Sequence, residues 1–398
     1  MAAIDVRGPL AEYADALREH LRGLGYRQLQ TDRHAHLAAG ISGWMQRRSM
    51  AVAELTAESL SEFFAERRRA GHRWLLSTRA AAPLLGYLRA SGAVPVVPAF
   101  PPSSPLDVLV GRYRQFLVDR RGLAPGTVSG YERTARLLLA ALGDEVDALG
   151  SLTAGQVSEF VAEACARPVK VSPRELVSDL RSFLRFLFME GLIAAPLAQA
   201  VPAYASRRAA GMPRFLTADQ TEQLLASCDR RTGIGRRDYA VLVVLARLGL
   251  RAGEVAALGL DDIDWRAGEL RVHGKPRREE RLPLPNDVGE AIAAYLRHGR
   301  PRAETRAVFV RAIAPLVGLS PTGVTWIVYS ACERAELPRA GAHRLRHTAA
   351  TAVLRGGGSL VEVGQLLGHR RVVTTAIYAK VDRASLDGLA RPWPGSAP

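Results

Sequence analysis

Apolar positions recur with helical spacing along most of this chain, and two Pro-rich stretches interrupt them. The first, VPVVPAFPPSSP (94–105), cannot form a helix. The second, VPAYASRRAAGMP (201–213), is small, basic and bounded by proline. Read as linkers, they divide the chain into 1–97, 104–200 and 213–390. Each of the first two parts reads as four helices with short connections. They also resemble each other: LTAESLSEFFAE (55–66) and LTAGQVSEFVAE (152–163) agree at eight of twelve positions. PLAEYADALREHL (9–21) stands opposite PLDVLVGRYRQFL (105–117) in the same order. Thr56 and Thr153 are placed to cap the third helix of each part. The expectation is that 1–97 is a diverged duplicate of 104–200.

The third part is mixed. Helices are predicted over 217–228, 236–249, 252–258, 286–298, 321–335, 343–355 and 359–367, with Ser359 and Glu362 forming a capping box for the last. A final helix starts near Thr374. ELRVHGKPRREERLPLP (269–285) alternates as two short strands around a polar turn. The predicted fold class is mainly α with a small antiparallel sheet.

Charge changes this picture. The net charge is +15 and the pI about 10.5, which points to a polyanionic partner, nucleic acid first. Residues 213–398 hold 28 Lys+Arg against 19 Asp+Glu, most of the surplus. Nearly every cation is arginine; Lys170, Lys275 and Lys380 are the three lysines. A retained lysine matters because it can give up a proton near neutral pH, whereas arginine does not. Cys165, Cys228 and Cys332 are scattered and fit neither a disulfide framework nor a zinc site, so a reducing cytoplasm is expected. Asp5 and Glu12 argue against a signal peptide. YAVLVVLARLGL (239–250) is too short to span a bilayer and carries Arg247.

The densest chemistry lies in GAHRLRHTAAT (341–351). On a helix, His343, Arg346 and His347 share one face, while Arg344 points elsewhere. Leu345, Ala349 and Ala352 can supply a buried stripe. A guanidinium and two imidazoles on one face could bind a phosphate, and could equally lie along a DNA backbone without chemistry. LGLRAGEVAAL (248–258) places Arg251 at a helix start, with Glu254 one turn on to hold it. Lys275 follows Gly274 at the hairpin turn. GHRRVVTTAIYAKV (368–381) sets His369 just after one helix and Tyr378 in the next. GELRVHGKP (268–276) is not a P-loop: it has one residue too many before Gly-Lys, and Pro276 replaces Ser or Thr. The carboxylates of LDDIDW (260–265) read as a helix-to-strand loop rather than a metal site.

Arg251, Lys275, HRLR (343–346), His369 and Tyr378 occur in the order of the tyrosine recombinases, the phage integrase family. The flanking words LGLRAGE, LRHTAAT, LLGH and TTAIYAKV resemble that family's motif boxes, and the style is closest to Xer-like and transposon-borne members. The resemblance covers roughly 105–390. It implies a SAM-like core-binding domain at 104–200, a catalytic domain at 213–390 and double-stranded DNA as substrate. It also implies four protomers on two sites, with partner recombinases an option, and no metal or nucleotide cofactor. By the same resemblance Tyr378 attacks a phosphodiester to leave a 3′-phosphotyrosine and a Holliday junction follows. Arg251 and Arg346 clamp the phosphate, His369 adds a hydrogen bond, and His343 is the base near Tyr378. Lys275 protonates the departing oxygen, and Glu254 and His347 are supports. The segment after Tyr378 resembles the family's docking tail. A non-catalytic DNA-binding protein on this fold and a type IB topoisomerase are the alternatives.

Overall fold

The computed structural model describes residues 5–95, 104–123, 125–143, 147–166, 172–203, 215–274 and 278–368, together with Thr375 and Tyr378. These residues group into two compact units. One holds 104–203; the other holds 5–95 together with 215–378.

The N-terminal residues carry helices α1 (Ala14–Gly23), α2 (Gln28–Arg47), α3 (Ala57–Arg69) and α4 (Ala82–Ala90). Their apolar faces meet in a core of their own around Trp44, Phe63, Phe64, Leu60 and Leu88. Residues 104–203 carry α5 (Pro105–Gln115), α6 (Pro125–Ala141), α7 (Ala154–Ala166) and α8 (Pro173–Met189). In both sets a short 3₁₀ turn precedes the third helix, at Val52–Glu54 and Asp147–Ser151. Thr56 Oγ1 accepts from the backbone N–H of Ser59, and Thr153 Oγ1 from that of Gln156, while both partner side chains reach back to the threonine N–H. The paired threonines are capping boxes, each satisfying two N–H groups that a helix start leaves open.

The core of 104–203 centres on Tyr113, Phe183 and Phe186, whose rings pack within about 5 to 6 Å of one another. The Tyr113 hydroxyl donates to Ser182 Oγ at 3.0 Å, so its polar end is paired. Asp179 on α8 is buried beside Thr134 on α6, whose Oγ1 donates to Asp179 Oδ2 at 3.3 Å. One weak donor does not compensate the loss of water.

The remaining residues build α9 (Ala218–Ala226), α10 (Gly233–Leu248), α11 (Ala252–Ala257), β1 (Ile263–Asp264), β2 (Glu269–Gly274), β3 (Arg278–Pro283), α12 (Asn286–His298), α13 (Pro321–Arg334), α14 (Ala342–Arg355) and α15 (Leu360–Leu366). The α10 helix is the hub. Val241 through Leu245 are all buried, as a helix apolar on every side must be, and α12, α13 and α14 pack around it. Its run of apolar residues therefore serves the core, and no helix among the described residues is long and apolar enough to cross a membrane.

The sheet is antiparallel in the order β1–β2–β3, with Leu270 opposite Leu282 and Val272 opposite Glu280. The sequence predicts two of these strands and reads LDDIDW as a loop. The third strand, β1, is two residues long, too short to show alternation, and pairs Ile263 with Leu270. Its carboxylates are occupied by structure. Asp262 accepts from Gly259 N and contacts His273 Nε2 at 2.9 Å, Asp261 pairs with Arg306, and Asp264 accepts from Arg266 N and Ala267 N.

The N-terminal helices touch the segment before α13, and one backbone hydrogen bond is among the contacts. Leu316 N–H donates to Leu24 O at 2.8 Å, and Gly25 lies against the Leu316 side chain. A Cβ on Gly25 would come within 2.3 Å of Leu316 Cδ1, and its φ of +82° already favours glycine.

Burial pushes the Asp179 carboxyl up from its ordinary 3.8 to about 6. The folded protein therefore holds this proton more tightly than the unfolded chain. The contribution is favourable below about pH 4 and is lost as pH rises through about 6. Asp179→Asn, which stays neutral, is expected to raise stability at pH 7.5 by on the order of 1 kcal/mol and to do little at pH 4, as read by urea unfolding at the two pH values.

Candidate active site

Four elements of the second unit converge on one point. The α10 helix ends at Gly249, whose φ of +61° gives the left-handed turn that glycine adopts without steric cost. The chain then enters α11 at Arg251. Glu254, one turn on, accepts from the Arg251 backbone N–H at 2.7 Å and from its guanidinium, so helix start and side chain are held by one carboxylate. This is the Arg251–Glu254 pairing that the sequence predicts. Half of the Arg251 side chain stays exposed.

The α14 helix brings the second arginine. Leu345 and Ala349 are buried, which turns Arg346 inward; Ala352, expected in that stripe, is exposed, and Leu354 is buried instead. Arg346 is only 3% exposed. Its Nη1 donates to Gly249 O at 2.6 Å and its Nη2 to Leu367 O, at the far end of α15. These bonds take two of the five N–H donors of a guanidinium and orient the group. Burial, and then repulsion from Arg251, lower the Arg346 pKa to about 10, against the opposing pull of Glu254, Tyr378 and Glu280. A guanidinium that weakly solvated is primed for an anion.

Tyr378 is 2% exposed, and its hydroxyl oxygen lies 2.7 Å from His347 Nδ1. The His347 and His343 rings meet edge to face with centroids 4.4 Å apart. His343 is the outer member of this row and is exposed at the surface. Burial raises the Tyr378 pKa, with Arg346 opposing, so the resting hydroxyl keeps its proton. Desolvation, then Arg346 and Arg251, lower the His343 pKa, which favours a neutral imidazole.

The structure thus brings together Arg251, Glu254, His343, Arg346, His347 and Tyr378. It departs from the sequence reading in one role: His347, expected as a support, is the imidazole that touches the tyrosine, and His343 stands behind it. A spacing of three or four on one helix face cannot rank two histidines, because the ranking is set by where Tyr378 enters. Lys275 and His369 lie outside the described residues, as does the tail after Tyr378.

Glu280 was not singled out in the sequence. It shares the inward face of β3 with Leu282, its charge supports Arg346, and its carboxylate lies against Gly368, where a Cβ would come within 2.6 Å. Strand parity carries that signal, since Glu280 is two residues from buried Leu282 while Glu279 faces out.

A buried tyrosine hydroxyl, an adjoining imidazole pair and two arginines are the kind of donors and acceptors that suit a phosphate. Comparisons with known proteins identify the family. The sequence profile of the phage integrase family matches residues 214–385, and that of the phage integrase N-terminal SAM-like domain matches 110–191. A putative integrase/recombinase, y4rA of Sinorhizobium fredii, is 40% identical over 98% of this chain and 96% of its own length. The tyrosine recombinase XerD of Listeria monocytogenes is 31% identical over 71% of this chain and 96% of its own. The fold is shared with the XerH site-specific recombinase bound to its difH substrate (TM-score 0.55, 16% identity, 70% of this chain and 83% of that one). It is shared also with the Tn1549 transposon integrase in complex with transposon right end DNA (TM-score 0.55, 17% identity, 71% and 99%). This chain belongs to the phage integrase family. It is a tyrosine recombinase, an enzyme of site-specific DNA recombination.

Gly249 serves the site twice, as the left-handed turn and as the carbonyl that holds Arg346. A Cβ there would meet Leu367 Cδ2 at 3.0 Å and Ala349 Cβ at 3.3 Å. Gly249→Ala is expected to cost about 1 kcal/mol or more in urea unfolding. It should also slow strand cleavage more than that loss of folded protein explains, checked by single-turnover rates under conditions where the variant is fully folded.

Proposed function

We propose that the chain cuts and rejoins DNA strands through a covalent 3′-phosphotyrosine on Tyr378, exchanging strands by way of a Holliday junction within a tetramer on two DNA sites. The observation that carries this reading is the Tyr378 hydroxyl held 2.7 Å from His347 Nδ1 beside the buried Arg346. In this reading Tyr378 Oη attacks the scissile phosphorus, its proton passes to His347, and the 5′-oxygen leaves. Arg251 and Arg346 donate to the non-bridging oxygens, where negative charge grows as the phosphorus becomes five-coordinate. His343 backs His347, and Glu254 keeps Arg251 aimed. Lys275 supplies the proton to the leaving oxygen, a task arginine cannot perform, and His369 donates to the phosphate.

Residues 104–200 form the core-binding domain in this reading, residues 213–390 the catalytic domain, and 1–97 a diverged copy of the former. The shared order of four helices and the two threonine capping boxes support the duplication. The event served is integration, transposition or dimer resolution in the cytoplasm.

A nicked suicide duplex carrying the candidate recombination site tests the proposal. Wild-type protein is expected to become covalently attached and Tyr378→Phe not at all; a wild type that never attaches ends the enzymatic reading. With the same substrate, His347→Ala should lose about 10²- to 10⁴-fold in attachment rate and more than His343→Ala does. Because its pKa is lowered, His343 adds a charge beside His347 only below about pH 6.5, so the acid limb of the rate profile is expected there and should shift in His343→Gln.

A further inference from the structure

The charges of the N-terminal helices are segregated. The forty residues between Glu66 and Asp107 contain no Asp or Glu, while 67–95 carry six arginines and His72. Residues 5–66 hold nine carboxylates against seven arginines. The modest surplus of this region is therefore the sum of a nearly neutral part and a strongly one-signed part.

The fold leaves four of these six arginines exposed, Arg67 and Arg89 being half-buried. Arg68 Nη1 donates to Leu76 O at 2.8 Å, which folds the loop after α3 back onto its own helix. The bend sets Arg69, His72, Arg73, Trp74 and Arg79 out into solvent. Trp74 is 71% exposed, and the guanidinium of Arg33, from α2, lies over its ring at 5.5 Å. Among the described residues Arg33, Arg69, Arg73 and Arg79 form no ion pair with a carboxylate. The other tryptophan–arginine pair of this region is the contrast. Trp44 is buried and donates its indole N–H to Glu66, while Arg48 lies over its ring and is neutralised by Glu62 and Glu66. One pair is satisfied within the protein; the other presents cations and an aromatic plate that no carboxylate among the described residues neutralises.

We propose that the face formed by Arg33, Arg69, Arg73, Trp74 and Arg79 is a second DNA-contacting surface, gripping the phosphate backbone of duplex DNA outside the segment that is cut. The arginines donate to phosphate oxygens, and Trp74 packs its ring on the sugar edge while it stiffens Arg33. The proposal takes duplex DNA as the polyanion because the enzyme already handles it, and it does not depend on the covalent chemistry assigned to Tyr378. An acidic protein would also suit the charge, and the test separates the two.

Full-length protein carrying Tyr378→Phe is titrated onto a duplex that extends well beyond the cut site on both sides, over a range of salt. The same is done with Arg69→Ala/Arg73→Ala/Trp74→Ala added. Losing two phosphate contacts should lower the slope of log affinity against log salt by about 2 and weaken binding about tenfold at physiological salt. Arg69→Lys/Arg73→Lys should restore the slope. An unchanged slope and affinity would assign the face to another partner and overturn the proposal. A photo-crosslinking residue at position 74 in the otherwise wild-type chain gives a reading free of any folding defect: attachment to the duplex is expected, and its absence counts against the idea. Covalent attachment through Tyr378 is scored separately on the suicide duplex, so either reading can fail alone.

Discussion

The catalytic unit is organised around a cation that water cannot reach. Burying a guanidinium is costly unless backbone oxygens replace its hydration, and Arg346 finds them in Gly249 and Leu367. Those two carbonyls end α10 and α15, so one side chain ties the hub helix to the last described helix of the fold. Much of the local sequence follows from this need. Gly249 must turn left-handed to aim its oxygen inward, and Leu345 and Ala349 must be apolar to draw the arginine down.

The same burial orders the electrostatics. Arg346 depresses the His343 pKa and opposes the rise that burial imposes on Tyr378, while Glu254 and Glu280 keep two neighbouring arginines from being an unrelieved repulsion. In the proposed reaction a phosphate would meet donors already oriented and partly stripped of solvent, leaving little reorganisation for the moment of attack.

Much of this was legible in the sequence, for identifiable reasons. Long helices announced themselves by their apolar spacing and length, and α10, α12, α13 and α14 lie within a few residues of the predicted spans. Strand β1 did not, because two residues carry no period and its place is set by pairing with β2 and by the Asp262 contacts to Gly259 and His273. The arginine, histidine and tyrosine boxes pointed to the family because their order is specific even though each box is ordinary. Which histidine meets Tyr378 was not legible, since both sit on one helical face and only the third dimension separates them. Glu280 was missed because a strand rich in charge looks solvent-facing until its parity with Leu282 is counted.

The bond from Leu316 to Leu24, with Gly25 pressed against the same leucine, gives the N-terminal helices a mount rather than a tether. A tethered module samples many separations and reports only that DNA is present. If the N-terminal helices grip DNA as proposed, a mounted module keeps a set span from Tyr378, and the duplex turns once about every ten base pairs. The quantity such an arrangement measures is helical phase: two stretches of DNA satisfy it together only when they present the same side of the double helix.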